Sequence, residues 1–241
     1  MIMVNNGGSS AAYPQLKHAA WHGWTFTDLV FPFFLWIVGV SITLSFAKRV
    51  ERGDDRGKLL AHVIRRSALI FLIGLFLNGF PYFNMATIRI PGVLQRIAVC
   101  YLIAATIFLF TRTRARIIWT AGFLAVYWLL MKIYGDLTVE GNFARYVDGL
   151  FLNGHMYSQT KTWDPEGLVS TLPAIANTLF GIFCGEMLRL KLSAEQKTGW
   201  LFLTGNCLVL AGLLLSTWMP INKMMLSLQT PTSWPGRYIL K

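Results

Sequence analysis

The residues best suited to chemistry lie near the N-terminus, in the segment LKHAAWHGWTFTD. His18 and His22 are four residues apart, so they share one face if this segment is helical. Histidine side chains titrate near neutral pH and can act as general bases or as nucleophiles. The spacing also suits two zinc ligands, although the sequence has no HExxH motif and no evident third ligand. A structural role at an interface is the simplest alternative, and the spacing alone does not separate these roles.

Thr25 and Asp28 follow the histidines and match the T-x-x-D form of a capping box. Thr25 is expected to cap a helix that begins at Phe26, with Asp28 reaching back near the positive end of the helix dipole. This structural role is sufficient to explain both residues. Asp28 could in addition orient an imidazole.

A second polar group lies in RIPGVLQRIAVCY, which carries Arg89, Gln95 and Arg96 at the start of an apolar segment. An ionisable residue inside a membrane span is costly, so Arg96 is a candidate functional residue. Alternatively, its side chain could extend to the nearby interface, because it lies only a turn or two inside.

A third group lies in GHMYSQTKTWDPEGLVSTLPAI, with His155, Asp164 and Glu166 ahead of another apolar segment. Asp164 followed by Pro165 predicts a helix start, with Asp as the cap and Pro in the first turn. Capping does not explain why a loop of 33 residues, 135–167, is present. Loops of this length are often functional.

The elements that position these groups are predicted to be membrane-spanning helices. Of the 241 residues, 54% are hydrophobic and only 14% are charged, whereas soluble domains carry about 25% charged residues. The fold is therefore predicted to be all-α, a polytopic transmembrane helix bundle with about six complete spans. Each span has close to the length that crosses a bilayer. The predicted spans are Phe26–Ala47, Ser67–Phe83, Val93–Thr111, Ile117–Tyr134, Leu168–Leu188 and Trp200–Met219.

The distribution of charge predicts the orientation of these spans. The net charge is +11, and more than half of the 22 Lys and Arg residues lie in three loops, each separated from the next by two spans. The positive-inside rule places these loops in the cytoplasm and the His18 segment on the other side. There is no basic–aromatic alternation of the kind that binds nucleic acid. The basic loops could also receive an anionic cytosolic cofactor.

Five segments in order carry a family resemblance: VNNGG, KHAAWHGWTFTDLVFPFFLWIVGVSI, RIPGVLQRIAVCY, DPEGLVSTLPAI and PINK. Over most of residues 4–223 the chain resembles the heparan-alpha-glucosaminide N-acetyltransferase family, including its bacterial membrane relatives. The resemblance implies a polytopic enzyme that passes an acetyl group from cytosolic acetyl-CoA to an amino sugar across the membrane. It implies no metal.

The resemblance selects His18 as the catalytic histidine and Asn5 as a second active-site residue, here a candidate donor to the oxyanion. It carries nothing over for His22. Asp28 is the expected partner of the catalytic group. The acetyl group could pass through an acetylated histidine or move directly in a ternary complex. The expected substrate- or cofactor-binding residues are Arg89, Gln95, Arg96, His155, Asp164 and Glu166.

The chain also departs from the family pattern at both ends. The first helix is reduced to MIMV, and the residues after Lys223 do not resemble the family. The expected organisation is an incomplete acyltransferase core at 1–223 and a tail at 224–241 that is expected to be disordered. The expected location is the bacterial cytoplasmic membrane. Expected partners are an amino-sugar or glycan acceptor, the lipid bilayer and a second copy in a homodimer, with no nucleic acid. Two alternatives are a transporter or permease with an outward polar cavity, and an inactive remnant.

Overall fold

The computed structural model describes residues 13–18, 25–134, 138, 140–157 and 163–216. Within these residues the secondary structure is a 3-10 turn at Pro14–Leu16 followed by α-helices, with no strand. The α-helices are α1 (Phe26–Glu51), α2 (Arg56–Gly79), α3 (Val93–Phe110), α4 (Thr113–Ile133), α5 (Phe143–Leu152), α6 (Thr171–Leu188) and α7 (Ala194–Leu215).

Six of these helices, all except α5, are long and apolar enough to cross a membrane. The prediction of an all-α polytopic bundle is therefore confirmed. The largest boundary error concerns α2, which was predicted at Ser67–Phe83 but begins at Arg56 and ends at Gly79. Its first turns are basic rather than apolar, and Lys and Arg favour helix without marking a span. The helix ends early because Phe80 precedes Pro81, and a residue before proline is driven to extended backbone.

Helices α1 and α6 form a parallel pair at the centre of the bundle. The side-chain amide of Asn177 donates to the carbonyl oxygen of Pro32 at 2.6 Å, and the Thr43 hydroxyl donates to that of Ile182 at 3.2 Å. Arg189 pairs with Glu51 beyond them at 2.8 Å. The paired positions rise together along both helices, so α1 and α6 begin at the same end of the bundle.

Glycine makes this close approach possible. A β-carbon at Gly39 would overlap the carbonyl oxygen of Thr178, and one at Gly181 would overlap that of Trp36. The backbones of α1 and α6 are thus in direct contact, as small residues permit between membrane helices. Around this contact the buried core is apolar; it includes Leu35, Ile42, Phe46, Ala104, Leu179 and Ile182.

Helices α2 and α3 form an antiparallel hairpin beside this pair. The Ser67 hydroxyl donates to the carbonyl oxygen of Ala98 at 2.7 Å, and Asn78 donates to that of Arg89 at 2.9 Å. The end of α2 therefore lies beside the start of α3. Arg96 of α3 in turn reaches Ser170 at the start of α6, at 2.5 Å. We call this end, where α1, α3 and α6 begin and α2 ends, the site end.

The turns that carry most of the basic residues lie at the opposite end, which we call the basic end. They join α1 to α2, α3 to α4 and α6 to α7. Arg116 is buried there and pairs with Glu186, while also donating to the carbonyl oxygens of Phe108 and Thr111 at 2.8 and 2.6 Å. One arginine of the predicted cytoplasmic loops therefore holds α4 against α6.

The loop predicted between α4 and α6 contains a helix, α5, that the sequence did not predict. Its N-cap is Asn142, whose side chain accepts from the backbone N–H of Arg145 at 2.8 Å. Ala144 of α5 packs in a small second core with Tyr127 and Met131 of α4 and with Trp163. The described part of the long loop therefore contributes an ordered helix to the site end.

Candidate functional site

His18 and Asp28 form a hydrogen-bonded dyad at the start of α1. The distance from His18 Nδ1 to Asp28 Oδ1 is 2.6 Å, and the side chains are 12% and 0% exposed. Although the two residues are ten positions apart in the sequence, the imidazole of His18 lies beside the first turn of the helix. His18 is thus held at the site end by a fully buried carboxylate.

The second oxygen of Asp28 serves the helix cap. Thr25 and Asp28 form the predicted capping box, in which Asp28 Oδ2 accepts from the Thr25 backbone N–H at 2.9 Å. The Thr25 hydroxyl donates to the carbonyl oxygen of Lys17 at 2.7 Å, next to His18. The structural role and the imidazole-orienting role, which the sequence left open, are thus both filled by Asp28.

This geometry selects the tautomer of the neutral imidazole of His18. An ionised carboxylate can only accept hydrogen bonds, so in that neutral form Nδ1–H is the donor and Nε2 carries the lone pair. His18 Nε2 is buried and has no hydrogen-bond partner among the described residues. Such an atom can take a proton from a substrate or attack a carbonyl carbon.

Arg89, Asp164 and Glu166 form a second charged cluster, which we call the clasp. Arg89 Nε and Nη2 donate to the two carboxylate oxygens of Asp164 at 2.9 and 2.6 Å, and Nη2 also pairs with Glu166. The Tyr157 ring lies 4.5 Å from the guanidinium carbon, and its backbone N–H donates to Asp164 at 2.9 Å. The clasp joins the start of α3 to the segment that precedes α6.

The prediction that Asp164 and Pro165 start a helix was wrong. Helix α6 begins at Thr171, and residues 165–170 form turns. Asp164 Oδ1 accepts from the backbone N–H of Glu166 at 2.9 Å, which closes a tight turn instead of a helix cap. Its carboxylate is already committed to Arg89, and this ion pair determines the local conformation.

Arg96 holds the segment that follows Glu166 by hydrogen bonds from α3. It is 2% exposed and donates to the carbonyl oxygen of Gly167 at 3.0 Å and to the Ser170 hydroxyl at 2.5 Å. Of the two alternatives drawn from the sequence, the structure therefore favours a buried functional or structural role over extension to the interface.

Asp148 is a site residue that the sequence analysis missed. It lies on α5, is fully buried, and accepts from the backbone N–H groups of Leu168 at 3.0 Å and Asp164 at 3.4 Å. Gly167 packs so closely that a β-carbon there would overlap this carboxylate. No sequence signal marks Asp148, because α5 was not predicted and the hydrogen-bond partners are 16 and 20 residues away.

Burial shapes the ionisation of this region. It raises the pKa of Asp148 to about 6, and it raises the pKa of Glu166 to about 7 against the opposing charge of Arg89. For Arg89, burial acts to lower the pKa, but the hydrogen bonds and charges of Asp164 and Glu166 outweigh it and raise the pKa. At neutral pH the guanidinium is therefore a fixed positive charge, while the raised pKa values of Asp148 and Glu166 bring both carboxyl groups closer to neutral pH.

Other predicted site residues have structural partners. The Gln95 side chain is buried between Gly74 and Gly92, where α2 and α3 meet. His155 Nδ1 lies 2.8 Å from the carbonyl oxygen of Ile88, and the Ile90 N–H donates to the His155 carbonyl oxygen at 3.0 Å. Asn5 and His22 lie outside the described residues. Within the described part of the chain, no group of three His, Cys, Asp or Glu residues could hold a metal ion.

The dyad and the clasp lie at the same end of one helix bundle, since α1, α3 and α6 all begin there. Residues 10–218 match the family model for heparan-alpha-glucosaminide N-acetyltransferase, catalytic. The chain belongs to the heparan-alpha-glucosaminide N-acetyltransferase family. The match covers most of the sequence and all of the described site residues, so the dyad and the clasp lie within the catalytic region of the family.

Two curated relatives carry the family name. The heparan-alpha-glucosaminide N-acetyltransferase of Mus musculus is 30% identical over 242 aligned positions, covering 78% of this chain and 37% of the relative. That of Homo sapiens is 29% identical over 295 positions, covering 97% of this chain and 44% of the relative. The chain thus spans less than half the length of these two relatives.

Proposed function

We propose that this chain carries the catalytic core of an integral-membrane N-acetyltransferase. Acetyl-CoA is the cytosolic acetyl donor, and an amino sugar on the other side of the membrane is the acceptor. Family membership supports the reaction class. The observation that carries the assignment is the His18–Asp28 dyad, with a buried Nε2 that has no hydrogen-bond partner in the described chain.

The dyad supplies the proton transfer that acetylation of an amine requires. His18 Nε2 accepts the proton of the attacking amine while the nitrogen bonds to the thioester carbon, and Asp28 stabilises the resulting imidazolium. The carbon–sulfur bond then breaks, and coenzyme A leaves as the thiol with a proton from His18. The same lone pair would attack the thioester carbon if the acetyl group passes through the histidine. Asn5 is proposed as a donor to the oxyanion.

The clasp is proposed to form one wall of the acceptor site. Glu166 Oε1, which is buried and has no hydrogen-bond partner in the described chain, is offered to a hydroxyl or amino group of a sugar. Arg89 holds Glu166 and Asp164 in place. Arg96 supports this wall through Gly167 and Ser170. Gln95 and His155 are proposed to act indirectly, without contacting the substrate. Gln95 holds the start of α3, and His155 holds the segment 88–90.

The proposed orientation places the site end outside the cytoplasm. The turns at the basic end meet the positive-inside rule, so acetyl-CoA would approach from that end. The thioester must then reach the dyad through the bundle. This arrangement separates the donor and the acceptor by the thickness of the membrane.

The test is acetyl transfer by the full chain in proteoliposomes, with radiolabelled acetyl-CoA and glucosamine as the acceptor. His18→Ala should reduce labelled product to background. Asp28→Asn should reduce kcat by about 10²–10⁴-fold, because it removes the charge that holds the correct tautomer. The matched control is His62→Ala, which removes an exposed histidine of α2 and should leave transfer unchanged.

Full transfer by a well-folded His18→Ala protein would overturn the role of His18. Folding is checked by the elution profile in detergent and by thermal stabilisation with coenzyme A. Uptake of labelled glucosamine without acetyl-CoA, with no acetylated product, would instead indicate a transporter. Absence of both activities and of stabilisation by coenzyme A would indicate an inactive chain.

A further inference from the structure

Helix α5 carries both buried and strongly exposed side chains. Ala144, Asp148 and Leu152 are spaced four residues apart and are buried. Tyr146, Leu150 and Phe151 are 69%, 65% and 69% exposed. These three belong to an apolar stripe at the i, i+3, i+4, i+7, i+8 spacing that also contains Phe143 and Val147. An amphipathic helix normally buries its apolar stripe, but in α5 Tyr146, Leu150 and Phe151 of the stripe remain exposed.

The inner face of α5 fixes the helix beside the end of a membrane span. Ala144 packs with Tyr127 and Met131, which lie in the last two turns of α4. Phe143 and Val147 pack against the same small core. Helix α5 therefore lies level with the point where α4 leaves the apolar part of the membrane.

The exposed stripe continues the lipid-facing surface of α4. On α4 the side chains of Leu129 and Ile133 are 48% and 60% exposed, and the Tyr134 side chain that follows it is 66% exposed. In a membrane span such residues face lipid. The Tyr134 ring lies 5.4 Å from the Phe143 ring, centroid to centroid, so the apolar surfaces of α4 and α5 meet at this ring pair.

The composition of the stripe fits the lipid–water boundary better than the hydrocarbon core. Tyr and other aromatic side chains concentrate at that boundary, where an apolar ring and a polar tip are both accommodated. Arg145 lies beside the stripe and donates to the carbonyl oxygen of Glu140 at 2.6 Å, so its charge is near the start of the helix. Amphipathic helices with this arrangement lie in the plane of the interface.

We propose that α5 is an interfacial helix. Tyr146, Leu150 and Phe151 insert among the lipid headgroups and upper acyl chains of the leaflet at the site end. Asp148 on the opposite face holds the segment 164–168 by two backbone hydrogen bonds. One short helix therefore connects the membrane surface to the clasp. The partner is a phospholipid surface, and the surface is distinct from the dyad and from the clasp.

The experiment measures the surroundings of spin labels on α5 in the full chain, reconstituted in phosphatidylcholine–phosphatidylglycerol vesicles. Cys100 and Cys184 are buried and Cys207 is exposed, so the background is Cys207→Ser. Single cysteines replace Tyr146, Leu150 or Phe151. Asn153→Cys, exposed just past the helix, is the water-facing benchmark, and Leu129→Cys is the lipid-facing benchmark. Power saturation then compares collisions with oxygen and with a water-soluble nickel complex.

The expected result is a ratio of oxygen to nickel collisions at all three α5 positions above that of Asn153→Cys and approaching that of Leu129→Cys. Nickel collisions equal to those at Asn153→Cys would show that the stripe faces water and would overturn the proposal. Immobilised labels that meet neither reagent would overturn it as well, in favour of a second copy or another segment of the chain covering the stripe. All three positions are exposed, so a label at any of them tests the proposal even if another variant fails to fold.

Discussion

At the residue scale, Asp28 divides its two oxygens between a helix cap and an imidazole. The arrangement has a physical basis, because burying a carboxylate costs free energy unless both oxygens accept hydrogen bonds. The cap and the dyad therefore stabilise each other. A change that disturbs the start of α1 also disturbs the orientation of His18.

The buried carboxyl of Asp148 predicts a loss of stability as pH rises. Its pKa is raised to about 6 in the folded protein, against a value of about 3.9 in an unfolded chain. The folded state therefore binds the proton more tightly, and this contribution is complete below pH 4 and is lost as pH rises through 6. The loss is of the order of 3 kcal/mol, since one pKa unit corresponds to about 1.4 kcal/mol.

Thermal unfolding of the detergent-solubilised protein between pH 4.5 and 7.5 measures this effect. Asp148→Asn cannot ionise, so its Tm should fall less over that range than the Tm of the unsubstituted chain. Asp54→Asn, a change in the turn between α1 and α2, should leave the slope as it is. Parallel curves for the Asp148→Asn and unsubstituted proteins would contradict the prediction.

Residue types near span ends predicted part of the site. The capping box pointed to Asp28, but only the family resemblance selected His18 over His22. Arg89 was a candidate because it precedes an apolar segment. The role of Asp164 was misread, because the sequence does not show that an arginine 75 residues away competes for the same carboxylate. Asp148 carried no signal, because its partners are backbone N–H groups brought to it only by tertiary folding.

At the element scale, the spans were predictable because a bilayer demands close to 20 apolar residues in each. Helix α5 was not, since it has only 10 residues and lies outside any such run. The close backbone contact between α1 and α6 could not be predicted from the sequence either. It depends on which glycines face each other, and neither their orientation nor their partners can be read from a hydrophobic span.

The glycine contact makes a prediction for the α1–α6 pair. Gly181→Ala should lower the Tm, because the new methyl group overlaps the carbonyl oxygen of Trp36 and forces the helices apart. Overpacking of this kind costs about 1–3 kcal/mol or more. The matched control is Gly205→Ala in α7, where a β-carbon meets no atom within 4 Å. Equal Tm values for both variants would show that α1 and α6 are not in contact at this point.

At the scale of the whole molecule, charge separates the two ends of the bundle. The dyad and the clasp are at the site end, and most of the basic turns are at the other. The alternation of basic loops in the sequence predicted this division, because the charge of each loop does not depend on how the helices pack. It could not predict which polar groups at one end would be in contact.

Labelling with a membrane-impermeant maleimide tests the orientation. In the Cys207→Ser background, Met85→Cys reports on the site end and Lys191→Cys on the basic end; Met85 is 72% exposed. Inverted membrane vesicles should label Lys191→Cys and not Met85→Cys, because the positive-inside rule places the basic end in the cytoplasm. The reverse pattern would place the His18–Asp28 dyad on the cytosolic side.

The parallel contact between α1 and α6 also has a consequence for biosynthesis. Thr43 and Ile182 are 139 residues apart, which at ribosomal speeds is a delay on the order of ten seconds. During that time the Gly39 surface of α1 cannot contact α6. The Thr43 hydroxyl can meanwhile donate to the carbonyl oxygen of Gly39 in its own helix, 3.4 Å away. The nascent helix therefore carries its own temporary acceptor until α6 emerges.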